Sequence, residues 1–162
     1  VDRAYRDHMG KKLGLREDRT EDEALLQELK SLMVGSRVDY TIFWRELGTF
    51  SSDPAAKNER LREHFLNPDR FDAWAGQYRE RLRREESRDD ERRAGMDRVN
   101  PKYVLRNYLA QGAIEKAQQK DYAEIDRLLN LLHDPYTDHP GMDSYAAAPP
   151  NWGKHLSVSC SS

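Results

Sequence analysis

Cys160 is the one cysteine in the 162 residues, two places from the end of the chain in His155-Leu156-Ser157-Val158-Ser159-Cys160-Ser161-Ser162. A thiol does chemistry as the thiolate, which a neighbouring cation or base must stabilise. Nothing cationic stands closer in sequence than Lys154 and His155, and a terminal carboxylate two residues on disfavours the thiolate. Cys160 is therefore poorly suited to be a self-activated nucleophile and better suited to forming a disulfide. The plain alternative is an incidental thiol on a frayed terminus. The five histidines offer one local cluster, His133-Asp134 with Asp138-His139. Its spacing matches neither a helical i,i+4 ligand pair nor a tetrahedral zinc pattern, and Pro135 divides it, so no metal site is expected. Carboxylates are abundant but stand among other charges, where nothing tunes one for acid or base work. No GxGxxG, Walker-type or G-x-S-x-G pattern occurs, so no phosphate cradle or nucleophile elbow is expected. These residues assign no catalytic, cofactor-binding or metal position to the chain.

The elements that must carry these residues read as helices almost throughout. Thr20 followed by Glu23 forms a capping pattern, after which Leu25, Leu26, Leu29, Leu32 and Met33 recur at helical spacing up to Gly35. Asp39 can cap a helix with Tyr40, Phe43, Trp44 and Leu47 on one face, stopped by Gly48. A loop at Ser51-Ser52-Asp53-Pro54 leads to a short helix with Leu61, Phe65 and Leu66, then to a longer one with Phe71, Trp74, Tyr78 and Leu82. Asn100-Pro101 reads as a sharp helix start, with Val104, Leu105, Tyr108 and Leu109 as its face. Asp121 can cap a last helix whose stripe is Ile125, Leu128, Leu129 and Leu132, ended by Asp134-Pro135. From there Pro140, Gly141, Pro149, Pro150 and Gly153 predict an irregular tail in which Trp152 stays exposed or pins the tail down. The expectation is an all-α fold of six to eight helices, a helical domain over 1–134 and an irregular tail over 135–162. A single core would centre on Leu29, Phe43, Trp44, Trp74, Tyr78, Leu105, Tyr108, Leu109, Leu128 and Leu129.

Charge and composition exclude several classes. Charged residues make up 35% of the chain and the apolar set 37%, so much of the helix surface must be solvated. Basic and acidic residues nearly cancel, 27 against 29, which removes the simplest ground for a nucleic-acid or anionic-membrane partner. The run Arg79–Arg98 holds eight arginines and seven acids. Glu80 with Arg84 and Asp89 with Arg93 stand at i,i+4, the pattern of a solvated face rather than a phosphate-binding patch. No apolar run approaches the roughly 18 residues of a membrane span and no signal-peptide pattern opens the chain. A lone cysteine builds no internal disulfide framework, so a reducing cytoplasm is the expected compartment. Opening at Val1 in charged helical sequence, the chain reads as a piece of something longer.

The run Asn100-Pro101-Lys102-Tyr103-Val104-Leu105-Arg106-Asn107-Tyr108-Leu109-Ala110-Gln111, with Pro149-Pro150-Asn151-Trp152-Gly153 and the ending Ser159-Cys160-Ser161-Ser162, resembles the C-terminal part of the selenoprotein O family. Lys12-Leu13-Gly14-Leu15, Asp39-Tyr40-Thr41-Ile42-Phe43-Trp44 and Trp74 with Tyr78, Arg81 and Leu82 agree with it. The resemblance implies the C-terminal part of a kinase-like fold. It also implies a parent that binds ATP with Mg²⁺ and transfers AMP, not phosphate, to hydroxyl side chains of target proteins. That reaction would depend on positioning and on electrostatic stabilisation of the phosphates. The family's nucleotide and metal residues lie in its N-terminal two-thirds, so none maps onto this chain and the fragment alone is expected to be inactive. Only Cys160 matches a functional position: in bacterial members the equivalent cysteine is thought to bridge to one in the kinase-like part and gate activity. The implied partners are the rest of the polypeptide and the parent's protein substrates. Gly112 departs from the family's larger residue and puts the straightness of its helix in question. The competing reading is a non-enzymatic helical interaction domain with an incidental cysteine. A Gly-rich loop, a lysine–glutamate pair and an Asn/Asp pair upstream of Val1 would separate the two.

Overall fold

The computed structural model describes residues 3–17 and 19–154. Every regular element among them is helical, and the all-α class is confirmed. Nine α-helices are described among these residues, more than the six to eight expected, because the charged run after Tyr78 is divided between two helices and a short one forms at Asp143–Ala146 inside the tail read as irregular. The helices are α1 Arg3–Lys12, α2 Asp22–Ser36, α3 Tyr40–Leu47, α4 Glu59–Arg62, α5 Pro68–Arg84, α6 Asp89–Asp97, α7 Asn107–Gln118, α8 Ala123–His133 and α9 Asp143–Ala146, with a 3₁₀ turn at Asn151–Gly153. The chain forms two compact units, 1–100 and 101–162. The change of texture at Pro135 falls inside the second, where the Pro135 carbonyl accepts the N–H groups of Lys102 (2.8 Å) and Tyr103 (3.1 Å).

The first unit is built on a column of aromatic rings. Phe43 meets Phe65 edge-on at 5.3 Å, Phe65 stacks on Phe71 at 4.9 Å, Trp74 stacks on Tyr78 at 5.0 Å and Tyr78 meets Phe50 at 4.9 Å. The polar ends of this column are satisfied by backbone: Trp74 Nε1 donates to the Leu25 carbonyl at 2.9 Å and the Tyr78 hydroxyl to that of Leu13 at 2.5 Å. Aromatic burial and these bonds together fix α5 against α2 and the turn after α1. Leu29, Phe43, Trp44, Trp74 and Tyr78 are core residues as expected.

Helix ends divide into those the local sequence sets and those tertiary bonds set. Asp39 caps α3 by accepting the Ile42 N–H at 3.0 Å, and Asn67 caps α5 by accepting that of Arg70 at 3.2 Å, with Pro68 in the first turn. Thr20 does not cap α2. The helix begins at Asp22, whose carboxylate accepts the Arg19 N–H at 3.0 Å and faces Arg81. Its C-terminal end lies past Gly35, at Arg37 in the left-handed region (φ 52°). The charged run after Tyr78 is also no single helix: α5 stops at Arg84, Glu86 takes φ 53°, and α6 starts at Asp89.

Asn100-Pro101 starts no helix, and the first helix of the second unit, α7, begins only at Asn107. The Asn100 amide is buried and donates to the Lys12 carbonyl at 3.0 Å within the first unit, while Lys102 and Tyr103 spend their N–H groups on Pro135. Helix α7 runs unbroken through Gly112. Asp121 still serves the start of α8 by accepting the Ala123 N–H at 3.1 Å. Two expected core residues are instead exposed, Leu105 at 55% and Leu129 at 54%, and Tyr108 and Leu109 are half-buried. The face of α8 that is covered carries Glu124, Leu128 and Leu131. The single expected core is therefore restricted to the first unit. Trp152 is 65% exposed and meets Tyr108 edge-on at 6.1 Å, while the adjacent Gly153 is buried against Tyr108.

Candidate functional site

Cys160, the residue singled out for redox chemistry, lies outside the described residues. The histidine cluster lies within them, and its groups lock a turn. His139 Nε2 sits 2.9 Å from the Asp134 carbonyl, and its backbone N–H donates to the Tyr103 hydroxyl at 3.2 Å. Asp138 pairs with Lys102 at 3.0 Å, and Asp143 pairs with the same ammonium at 2.7 Å. Partial burial disfavours the Lys102 charge, but its bonds to Asp143 and Asp138 outweigh this and hold its pKa above the ordinary lysine value. Among the described residues no group of three or more His, Cys, Asp or Glu is placed to hold a metal ion.

A second polar group in this unit is Glu124, 8% exposed. It accepts from the Tyr145 hydroxyl at 2.7 Å, from Arg127 at 2.6 Å and from Lys116 at 3.0 Å. The Tyr145 bond is the first cause holding its carboxyl below the ordinary range, and the two cations assist against burial. One carboxylate thus ties α7, α8 and α9 together.

The charged run Arg79–Arg98 is only partly the solvated face expected. Glu80 and Arg84 do pair in solvent, at 3.4 Å. Asp89, however, pairs with Arg92 at 2.7 Å rather than with Arg93, which faces Asp97. Two of the eight arginines are buried. Arg81 makes a fork to Asp22 (2.6 and 3.1 Å), a bond to Glu85 at 2.8 Å and one to the Glu17 carbonyl at 2.8 Å. Burial opposes its charge, but the carboxylates more than offset this and raise its pKa. The side chain of Arg92 is fully buried, with its guanidinium bonded to Asp89 and to the Phe50 carbonyl. Both arginines stitch the loops around α5 and α6 to the aromatic core, a positioning task with no reacting atom.

Arg81 and Arg92 are what sequence reasoning missed. Their phase was the available signal: Arg81 follows Tyr78 by three and Trp74 by seven, on the apolar face of α5, and Arg92 precedes the buried Met96 by four. Their partners, up to 64 residues away in sequence, left no local trace.

The first unit also holds an open cavity of about 270 Å³ beside α1 and α2, floored by Met9, Leu13, Leu15 and Leu26 and rimmed by charges such as Lys11 and Glu23. Near it Lys12 is buried, with its ammonium over the rings of Trp44 (5.3 Å) and Tyr40 (5.6 Å), and desolvation lowers its pKa. Neither place joins a nucleophile to a base.

The chemistry therefore has to be sought in relatives of the chain. The family model described as protein adenylyltransferase SelO matches residues 1–133. The chain belongs to the SelO family. A protein nucleotidyltransferase YdiU of Myxococcus xanthus (strain DK1622) is 54% identical over 158 residues, which is 98% of this chain and 32% of the relative. The YdiU of Thioalkalivibrio sulfidiphilus (strain HL-EbGR7) is 54% identical over 154 residues, 95% of this chain and 31% of the relative, and that of Pseudomonas fluorescens (strain Pf0-1) 49% over 159 residues. The chain thus spans about a third of the length of these SelO relatives. No helix among the described residues is long and apolar enough to cross a membrane.

Proposed function

We propose that this chain is the helical C-terminal part of a cytoplasmic, kinase-like protein adenylyltransferase, which moves AMP from ATP to Ser, Thr or Tyr hydroxyls of target proteins. The observation that supports it most is the 54% identity, over 98% of the chain, to a protein whose name is protein nucleotidyltransferase. In such a transfer the hydroxyl oxygen attacks the α-phosphorus, the bond from that phosphorus to the pyrophosphate breaks, and the hydroxyl proton leaves to a base. ATP with Mg²⁺ supplies the activated phosphorus when bound. The described residues offer no carboxylate cluster for a cation, and of their buried cations Arg81 and Arg92 are bonded to the protein's own carboxylates and carbonyls while Lys12 lies over the rings of Trp44 and Tyr40. The task of this chain is mechanical, to set its aromatic and ion-paired helices beside the catalytic part of the polypeptide.

Cys160 adds regulation in this reading. Two thiols, Cys160 and a cysteine elsewhere in the polypeptide, lose two electrons and two protons to an oxidant such as glutathione disulfide and form one disulfide, which a reduced thiol reverses. Intact-mass analysis of the full-length protein tests both halves. A target mixed with it and ATP is expected to gain one AMP, and oxidation is expected to suppress the gain in the parent but not in Cys160→Ser. An unmodified target sinks the transfer. Equal redox response of parent and variant sinks the switch.

A further inference from the structure

The two units differ in how they dispose of their apolar side chains. Among the described residues the first unit buries twenty and exposes four large ones, whereas the second buries four, Tyr103, Ala113, Leu128 and Leu131, and exposes eight. A body with so little core does not order itself on hydrophobic burial alone. Half of the eight form one stripe, Tyr122, Ile125, Leu129 and Leu132, spaced by three, four and three residues along α8 and its N-cap. At about 100° per residue they lie side by side, next to the ridge of Glu124, Leu128 and Leu131 that is covered. The apolar arc of α8 thus spans about half its circumference, and only one edge of it has a partner. A contiguous exposed stripe of this kind marks an interaction surface.

Its occupant follows from length. The chain accounts for 32% and 31% of two relatives, and Ile125, Leu129 and Leu132 fall inside the segment that the family model matches. A tethered segment docks at high effective concentration and needs little area. A stable dimer needs about 800 Å² per partner, more than four side chains on one eleven-residue helix offer. We infer that the Tyr122–Leu132 stripe seats an apolar segment of the polypeptide that the relatives carry beyond the span of this chain. The inference rests on the reading that the chain works joined to that part.

Hydrogen exchange followed by mass spectrometry, on this chain and on the full-length protein, tests it without any variant. The Ala123–His133 amides are expected to exchange at least about tenfold more slowly in the full-length protein. Leu129→Asp is expected to lower the melting temperature of the full-length protein and leave that of the chain unchanged. Equal exchange in both, or protection in the chain alone that grows with its concentration, overturns the inference, the latter in favour of a second copy. Full-length protein that transfers AMP with α8 unprotected defeats this inference alone, and protected α8 without AMP transfer defeats the functional reading alone.

Discussion

At the scale of single residues, stability rests on a few buried charges held by carboxylates and carbonyls. Arg81 is 4% exposed and holds two carboxylates, Asp22 and Glu85, besides the Glu17 carbonyl. Removing the cation leaves two anions without it, so Arg81→Met is expected to cost about 3–5 kcal/mol in urea unfolding. A loss under about 0.5 kcal/mol would mean that the carboxylates find other partners. In the second unit Glu124 contributes a pH dependence. Its folded pKa lies below the ordinary value of 4.5, so the folded state binds the proton less readily than the unfolded one. Its contribution is complete above pH 4.5 and is lost as pH falls through the lowered folded value. Amide protection of α7, α8 and α9 is expected to fall across that acid window, and Glu124→Gln to weaken the dependence. An unchanged profile in the variant would assign the acid response to another group.

At the scale of elements, the close approach of α1 to α6 turns on Gly14. Its φ of 70° lies where side chains are disfavoured, and a Cβ there would stand 2.5 Å from Arg92 Cγ and 2.8 Å from Met96 Sδ. Gly14→Ala is expected to cost about 1–3 kcal/mol. Gly10→Ala, in α1 with open space around it, is expected to be neutral or to stabilise by up to about 1 kcal/mol. Thermal melts of the two variants check the contrast. The same elements mark where sequence was informative. Helices α3 and α5 could be read because Asp39 caps α3 locally and Phe43, Trp44, Leu47, Phe71, Trp74, Tyr78 and Leu82 bury as spaced, while Tyr40 on the same stripe stays exposed. Asn100-Pro101 misled because its side chain and the N–H groups after it are taken by Lys12 and Pro135, far away in sequence. On α8 the period was right and the face was not, since spacing alone does not say which half of a wide apolar arc is covered.

At the scale of the whole molecule, helical spacing foretold an all-α body, but no pattern within the described residues carries the chemistry. The family became visible through the identity of whole stretches, not through any acid, base or metal constellation. The relatives' extra length is where nucleotide chemistry has to reside if the functional reading holds. Cys160 carries the remaining chemical expectation. The most direct measurement incubates the full-length protein and a protein target with ATP labelled on the α-phosphate, and in parallel with ATP labelled on the γ-phosphate. Label is expected on the target from the α position only, with none from either nucleotide when this chain is used alone. Transfer of the γ label, or no transfer of α label by the full-length protein, would contradict its assignment as part of a protein adenylyltransferase.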